Sequence, residues 1–375
     1  MKVAVLGSGL MGSVISWDLS RSREVDKVVV ADLDEERLVR LKGRAGGGRL
    51  DVEPIDLKDG AKTVRFLKGF DAVASALPHG VVHPVDVAAV RAGARMVNIA
   101  FEDEQMSLDR EARKSGALLI PGCGLAPGLG GILLAHASRQ LKGAEEGHIL
   151  VGGIPEKPVP PFDYRLVFSV VGLLREYIEG ARVFRGGKMV KVAPFSTKET
   201  VEFPEPIGTL EAFCTDGLAS LLWTMKGMKV LDEKTLRWPG HVDRMNLLME
   251  TGYFSREKVT VGGKEVTPLE VSYAVLEKKL SEGDVHDITV MRVEARSKGG
   301  RIIFDMVDRY DRKNEVTSMG RTTGYTASVV TQMVGSGLVA GKGVIPPETA
   351  VSGKLVDSLL SELSERGVRI KRRTS

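Results

Sequence analysis

Cysteine is nearly absent from this chain. Only Cys123 and Cys214 occur among 375 residues, and neither belongs to a CxxC pair. That excludes a disulfide-stapled secreted scaffold and fits a reducing cytoplasm, the expected compartment. Long apolar runs are missing too: none approaches the ~18 residues of a membrane span, so no membrane partner is expected. The opening MKVAVLGSG runs straight into a strand pattern, and no signal peptide is read there. Strong net charge is also lacking. Lys plus Arg number 53 against 49 Asp plus Glu, a formal charge of +4, too small to call for nucleic acid. The excess gathers at Arg366, Arg369, Lys371, Arg372 and Arg373, read as a solvated, frayed end. Asn (98, 246, 314) and Gln (105, 140, 332) are scarce beside abundant Lys, Arg and Glu, a balance that leans toward a thermophilic source.

What is present is an ordinary globular composition, 43% hydrophobic and 27% charged. The length allows two or three domains and a large core. In the first half, short apolar runs alternate with helical spacings. Strands are expected at 2–6, 28–31, 52–55 (weakly), 71–77, 96–100 and 118–121, with helical patterns between them. This is the signature of a doubly wound parallel sheet, an α/β Rossmann architecture. A long helix is expected over 129–141. The second region differs. It has a strand pattern at 149–154, a stiff KPVPP link at 157–161, and a hairpin pairing 287–296 with 301–309 across Gly299-Gly300. It reads as α+β with a mostly antiparallel sheet. Helices are expected again over 323–338 and 356–365. The expected division is 1–128 plus 323–375 for a dinucleotide-binding domain and 129–322 for an inserted α+β domain.

Gly7-Ser8-Gly9-Leu10-Met11-Gly12 matches GxGxxG. A chain with 43 glycines can produce that pattern by chance, but here a strand precedes it and an amphipathic helix follows. Gly7 permits the tight turn, Gly9 lets backbone approach a pyrophosphate, and Gly12 lets the helix pack close. The helix N-terminus offers free N–H groups to phosphates. Asp32 ends the second strand, where a carboxylate can accept from the adenine ribose and repel a 2′-phosphate. NAD is therefore favoured. NADP is the alternative, because Arg37 and Arg40 follow closely.

The glycine loop combines with Ala76-Leu77-Pro78 and Gly124-Leu125-Ala126-Pro127-Gly128. Further segments are Val151-Gly152-Gly153-Ile154-Pro155, Leu210-Glu211-Ala212-Phe213, Thr235-Leu236-Arg237-Trp238-Pro239-Gly240-His241 and Gly343-Val344-Ile345-Pro346-Pro347-Glu348. Together these resemble the saccharopine dehydrogenase and lysine 6-dehydrogenase group, over residues 1 to about 350. The resemblance implies a Rossmann domain, an inserted domain supplying substrate contacts and dimer interface, and a homodimer. It is nearest to the branch that oxidises the lysine ε-amine with NAD, releasing ammonia and a semialdehyde. A saccharopine-type or carboxypolyamine-type reductase using NAD(P)H is the alternative. A non-catalytic nucleotide-binding regulator is the second, because Asn98 and Gly122-Cys123 stand where the group often carries acids.

Amine oxidation needs a base for the ammonium proton, a C–H aimed at the nicotinamide, and stabilisation of the developing iminium. In a doubly wound sheet such groups gather at the carboxyl ends of strands. After the fourth strand, Ala76-Leu77-Pro78 is expected along the cofactor, with His79 a candidate base or substrate contact. His79 and His83 have i,i+4 spacing, but Pro78, Gly80 and Pro84 speak against a metal-binding helix, so no metal is expected. After the fifth strand, Glu102, Asp103 and Glu104 crowd one loop. Asp103 and Glu104 are the preferred base candidates, with helix N-terminal acids as the structural reading. After the sixth strand, backbone amides of Cys123, Gly124 and Leu125 are expected toward the nicotinamide. Cys123 is a possible ring contact there, or else a small buried hydrophobe. For the amino-acid substrate, Arg237 and His241 are the first contacts, Arg237 as a carboxylate fork. Arg244 and Arg165 are second choices, and Tyr164 and Asp216 complete the set. Arg237 could equally pair with a structural acid.

Overall fold

The computed structural model describes residues 1–45, 48–283 and 286–375. Strands and helices alternate from the start: β1 (Lys2–Leu6), α1 (Leu10–Arg21), β2 (Lys27–Asp32), α2 (Glu35–Ala45), β3 (Leu50–Pro54), α3 (Gly60–Leu67), β4 (Ala72–Ser75), α4 (Val82–Ala92), β5 (Arg95–Asn98), a 3-10 turn (Asp103–Leu108), α5 (Asp109–Ser115), β6 (Leu118–Ile120) and α6 (Leu129–Gln140). All the pairings among these strands are parallel, in the order β6-β5-β4-β1-β2-β3, and Gly343–Val344 adds a seventh strand beside β6. The central strands are short and apolar because helices cover both faces; β4 and β6 are buried throughout. The strand order reverses between β1 and β4, and ligands bind at such switch points, outside the carboxyl ends.

The middle of the chain holds β7 (Glu146–Pro155), α7 (Val170–Ile178), β8 (Ala181–Arg185), β9 (Lys188–Val192), β10 (Glu199–Phe203), β11 (Gly208–Cys214), α8 (Leu221–Thr224), β12 (Val230–Arg237), α9 (His241–Glu250), β13 (Val259–Val261), β14 (Lys264–Val266), α10 (Pro268–Leu280), β15 (Asp287–Ser297) and β16 (Gly300–Arg309). Then follow α11 (Ser318–Gly335), β17 (Gly343–Val344), α12 (Pro347–Ala350), α13 (Lys354–Glu365) and β18 (Ile370–Thr374). The second sheet has nine strands along β10-β11-β12-β7-β15-β16-β18, with β8 and β9 branching from β12. It is antiparallel except where β12 runs parallel to β7. The expected hairpin is β15–β16, in register from Ile288↔Arg309 to Ser297↔Gly300.

The chain forms two compact units: 1–140 with 219–226 and 320–370, and 141–218 with 227–319 and 371–375. These bounds differ from a division at 128. Helix α6 is buried along most of its length, from Leu129 to Ala137, and packs against α12 and α13, so it belongs with the first unit. Residues 219–226, expected in the inserted domain, also join the first unit. The basic terminus does not fray. Residues 370–374 form edge strand β18, tied by a mutual backbone pair between Arg301 and Ser375 and by Arg373 on Asp305. Exposed Lys and Arg on an edge strand discourage further pairing, which gives the run a structural use. Among the described residues, no helix is long and apolar enough to cross a membrane.

Candidate active site

At the end of β1, Gly7 sits at φ +95° and its N–H donates to Ala31 O at 2.8 Å. A Cβ here would stand 2.6 Å from Ala76 O. At Gly12 a Cβ would come within 1.9 Å of Gly7 O, so only glycine lets α1 lie against the loop. Gly9 faces open space, with nothing within 4 Å of its Cβ position, and it caps α1 without a side-chain bond. An open backbone at an uncapped helix N-terminus is the cradle a pyrophosphate requires. Leu10 is exposed on the first turn and Met11 is half-buried. The buried Ser8 gives Asp32 Oδ2 its amide at 2.5 Å and its hydroxyl at 2.8 Å, and Asp34 N–H reaches Oδ1 at 3.0 Å. Partial burial pushes the Asp32 carboxyl up, but these hydrogen bonds outweigh it and hold the group ionised below the usual range. Ala76 continues β4 along the loop, its N–H on Leu6 O at 2.8 Å, with Leu77 half-buried and Pro78 exposed. The residues present fit a dinucleotide.

His79 leaves β4 and Glu102 leaves the adjacent β5. His79 Nδ1 lies 3.0 Å from Glu102 Oε1. Glu102 is the carboxylate that sequence reasoning ranked last of three. Asp103 and Glu104 instead stand exposed on the first turn of the 3-10 helix. The Glu102 side chain accepts from the Gln105 amide, and Gln105 Oε1 accepts the Glu102 N–H at 2.7 Å, a reciprocal capping box. Gln105 Nε2 then donates to Asp86 Oδ2 at 2.7 Å, and Asn98 Nδ2 to Asp86 Oδ1 at 3.2 Å. Asp86 is fully buried on α4. Burial pushes it up to about 6, against the pull of the Gln105 and Asn98 bonds. Sequence reasoning missed this network. Its signal was a lone acid inside the apolar helix pattern Val85-Asp86-Val87-Ala88-Ala89.

The loop after β6 closes on itself. Cys123 N–H donates to Asn98 O at 2.8 Å and Gly124 N–H to Pro127 O at 2.9 Å, so these two amides are spent within the chain rather than turned to a nicotinamide. Cys123 is fully buried, and Leu125 nearly so. Burial, then the Glu348 charge, pushes the Cys123 thiol up to about 12, which leaves it a small hydrophobe.

In the second unit, Arg237, Tyr164 and His241 come together in the core, but not as an open fork. Arg237 donates to Glu176 Oε2 at 2.7 Å, Tyr177 Oη at 3.1 Å and Leu236 O at 2.9 Å, and its guanidinium covers the Tyr164 ring at 4.8 Å. This is the structural-acid pairing, formed because β12 places Arg237 under α7. His241 is pinned between Tyr177 Oη at 2.8 Å and Phe162 O at 2.7 Å. Burial, then Arg237, pushes it down to about 3, so it stays neutral. Asp216 stands elsewhere, paired with Arg182, and Arg244 pairs with Asp163. Among the described residues, no cluster of His, Cys, Asp and Glu is placed to hold a metal ion.

A glycine cradle, an ionised acid at the end of β2 and an imidazole–carboxylate pair at the carboxyl edge of one parallel sheet fit a nicotinamide dinucleotide, NAD or NADP. Comparison with known proteins narrows this. Residues 3–120 match the saccharopine dehydrogenase NADP binding domain, and residues 124–368 match the saccharopine dehydrogenase C-terminal domain. The chain belongs to the saccharopine dehydrogenase family. The alpha-aminoadipic semialdehyde synthase of Mus musculus is 26% identical over 284 residues, which span 72% of this chain and 30% of that protein. The chain thus corresponds to under a third of that relative's length. The NADP(+), L-glutamate-forming saccharopine dehydrogenase of Schizosaccharomyces pombe is 21% identical, with 98% of each chain covered. The same fold occurs in the L-Glu-forming saccharopine dehydrogenase of Saccharomyces cerevisiae, with TM-score 0.82, 19% identity, and 100% of this chain and 99% of that chain covered.

Proposed function

We propose that this protein is an NAD-dependent amino-acid dehydrogenase that oxidises a side-chain amine, with the L-lysine ε-amine the leading substrate. The observation that carries the reading is the His79–Glu102 pair, held at the carboxyl ends of β4 and β5, the first and second strands along from β1 and its glycine loop. When bound by the glycine loop, a nicotinamide dinucleotide would supply the hydride acceptor for the carbon bearing the amine. The protein must first make that amine neutral. With Nδ1–H directed at the Glu102 carboxylate, His79 presents the Nε2 lone pair as proton acceptor. Glu102 stabilises the imidazolium that results, and the Gln105–Asp86–Asn98 network fixes the carboxylate's orientation. Water then adds to the iminium carbon, ammonia leaves, and a semialdehyde remains. Asp32 supports NAD over NADP, since its ionised carboxylate sits where a 2′-phosphate would be repelled. A homodimer belongs to the same reading, and its mass is checked by light scattering.

A second reading, a saccharopine-type reductase joining an amine to a carbonyl, is favoured by the end-to-end match with the S. pombe protein. One screen separates the two. Absorbance at the NADH wavelength should rise with L-lysine and NAD under the first reading. It should rise with saccharopine but not lysine under the second. Silence across basic amino acids, diamines and saccharopine with both cofactors would sink both.

A further inference from the structure

The exit of β5 has two flanks. On the β4 side stand His79 and Glu102. On the β6 side stands Phe101, half-buried, lodged where Gly122 carries no side chain; a Cβ there would meet the Phe101 Cβ at 3.1 Å. Against Phe101 lies Trp223, ring centroids 5.9 Å apart and tilted 46°. Trp223 comes from α8, the short excursion out of the middle of the chain that joins the first unit.

That excursion is bolted down. Glu348, fully buried on α12, accepts from Ser220 Oγ at 2.9 Å and from Thr224 Oγ1 at 2.5 Å. These two hydroxyls stand one helical turn apart and bracket Trp223. Leu221 packs over Gly131 of α6, at ordinary contact distance from its Cβ position. Burial pushes the Glu348 carboxyl up, countered by the Thr224 and Ser220 bonds. Leu221 and Leu222 are buried by this anchoring, yet Trp223 keeps 37% of its surface open. A buried acid spent on fixing a four-residue helix, whose aromatic residue is left facing out, suits a binding wall better than core packing.

The chemistry of the flanks indicates the ligand. Glu102, with exposed Asp103 and Glu104 next to it, puts three carboxylates at the β5 exit. Indole and phenyl faces attract cations and cover methylene chains. We propose that Trp223, backed by Phe101 and anchored through the Glu348 bonds to Ser220 and Thr224, packs on the aliphatic stem of the substrate amine and leaves its ammonium end to the His79–Glu102 pair. It would thereby select long-stemmed primary amines over short ones. The inference rests on the amine-oxidation reading and adds a specificity residue to it.

The test pairs turnover with binding. L-Lysine and n-pentylamine are titrated into NAD-loaded protein, following tryptophan fluorescence, in wild type, Trp223→Leu and Trp223→Phe. Trp17, stacked on Tyr325, and Trp238, bonded to Pro155 O, serve as internal background. Wild type should quench on binding. Trp223→Leu should raise the lysine KM and the pentylamine Kd by about ten-fold, while the NADH Kd moves by less than about two-fold. Trp223→Phe should keep most of the affinity but lose the quench. Unchanged amine affinity in a Trp223→Leu protein of wild-type melting temperature overturns the inference even if lysine is oxidised. Quenching that depends on Trp223 without oxidation of any amine upholds the inference and removes the dehydrogenase reading. A shift confined to NADH affinity assigns the ring to the cofactor and also overturns it.

Discussion

Arg366, just beyond α13, donates from Nε to Asp18 Oδ1 at 2.8 Å, closing 348 residues of sequence onto the first helix of the chain. Ser328 of α11 reaches the other carboxylate oxygen at 2.6 Å. Burial pushes the Asp18 carboxyl up; Arg366 and Ser328 pull it back. The returning C-terminal segment is thus tied to α1 by a charge pair inside the first unit.

Arg366→Ala should therefore destabilise the protein by about 3 kcal/mol, because a buried carboxylate loses its partner. Asp18→Asn with Arg366→Ala should recover part of that loss. Urea midpoints would measure both, and an Arg366→Ala midpoint equal to wild type would refute the tie.

Stability should also depend on pH through Glu233. A Cβ on Gly217 would collide with this carboxylate, and among the described residues its Oε2 has no hydrogen-bond partner. Burial first, then the Glu176, Asp216 and Asp232 charges, push it up to about 8. The folded chain therefore holds a proton that the unfolded chain releases near the ordinary Glu value of about 4.5. This contribution is fully present below about 4.5 and is lost as pH rises through about 8. Glu233→Gln should melt close to wild type at acid pH and above it in alkaline buffer. Melting curves that track wild type at every pH would count against the assignment.

The base assignment predicts a graded loss. His79→Ala should lower kcat by about 100- to 10,000-fold with dinucleotide affinity retained. Glu102→Gln should lower it less, also with dinucleotide affinity retained. Asp103→Asn and Glu104→Gln, on exposed positions, should stay near wild type. A large kcat loss in either of those two would move the base along the loop.

Cofactor choice should turn on Asp32. Asp32→Ala removes the acceptor of the Ser8 amide and hydroxyl and the repulsion of a 2′-phosphate. Calorimetry should show NADH binding weakened by about ten-fold and the preference over NADPH largely gone. Wild-type protein that binds NADPH more tightly would reverse the NAD reading outright.

Much of this was legible beforehand, because it rests on local pattern. Short apolar runs separated by helical spacings identify strands buried on both faces, whatever their neighbours. GxGxxG between a strand and a helix identifies a phosphate cradle, since only glycine tolerates the 1.9 Å approach found at Gly12. The β15–β16 hairpin followed from alternation and a Gly-Gly turn.

What tertiary structure decided is partnership. Three consecutive carboxylates look alike in sequence. Glu102 meets His79 because β4 and β5 are neighbours and because the 3-10 turn carries Asp103 and Glu104 outward. Arg237 looked like a free fork until α7 supplied Glu176, 61 residues away. The basic terminus looked frayed until β16 offered it an edge. Periodicity reports which way a side chain faces along its own element. Which group it faces depends on the order in which distant elements pack, and a one-dimensional pattern carries no term for that.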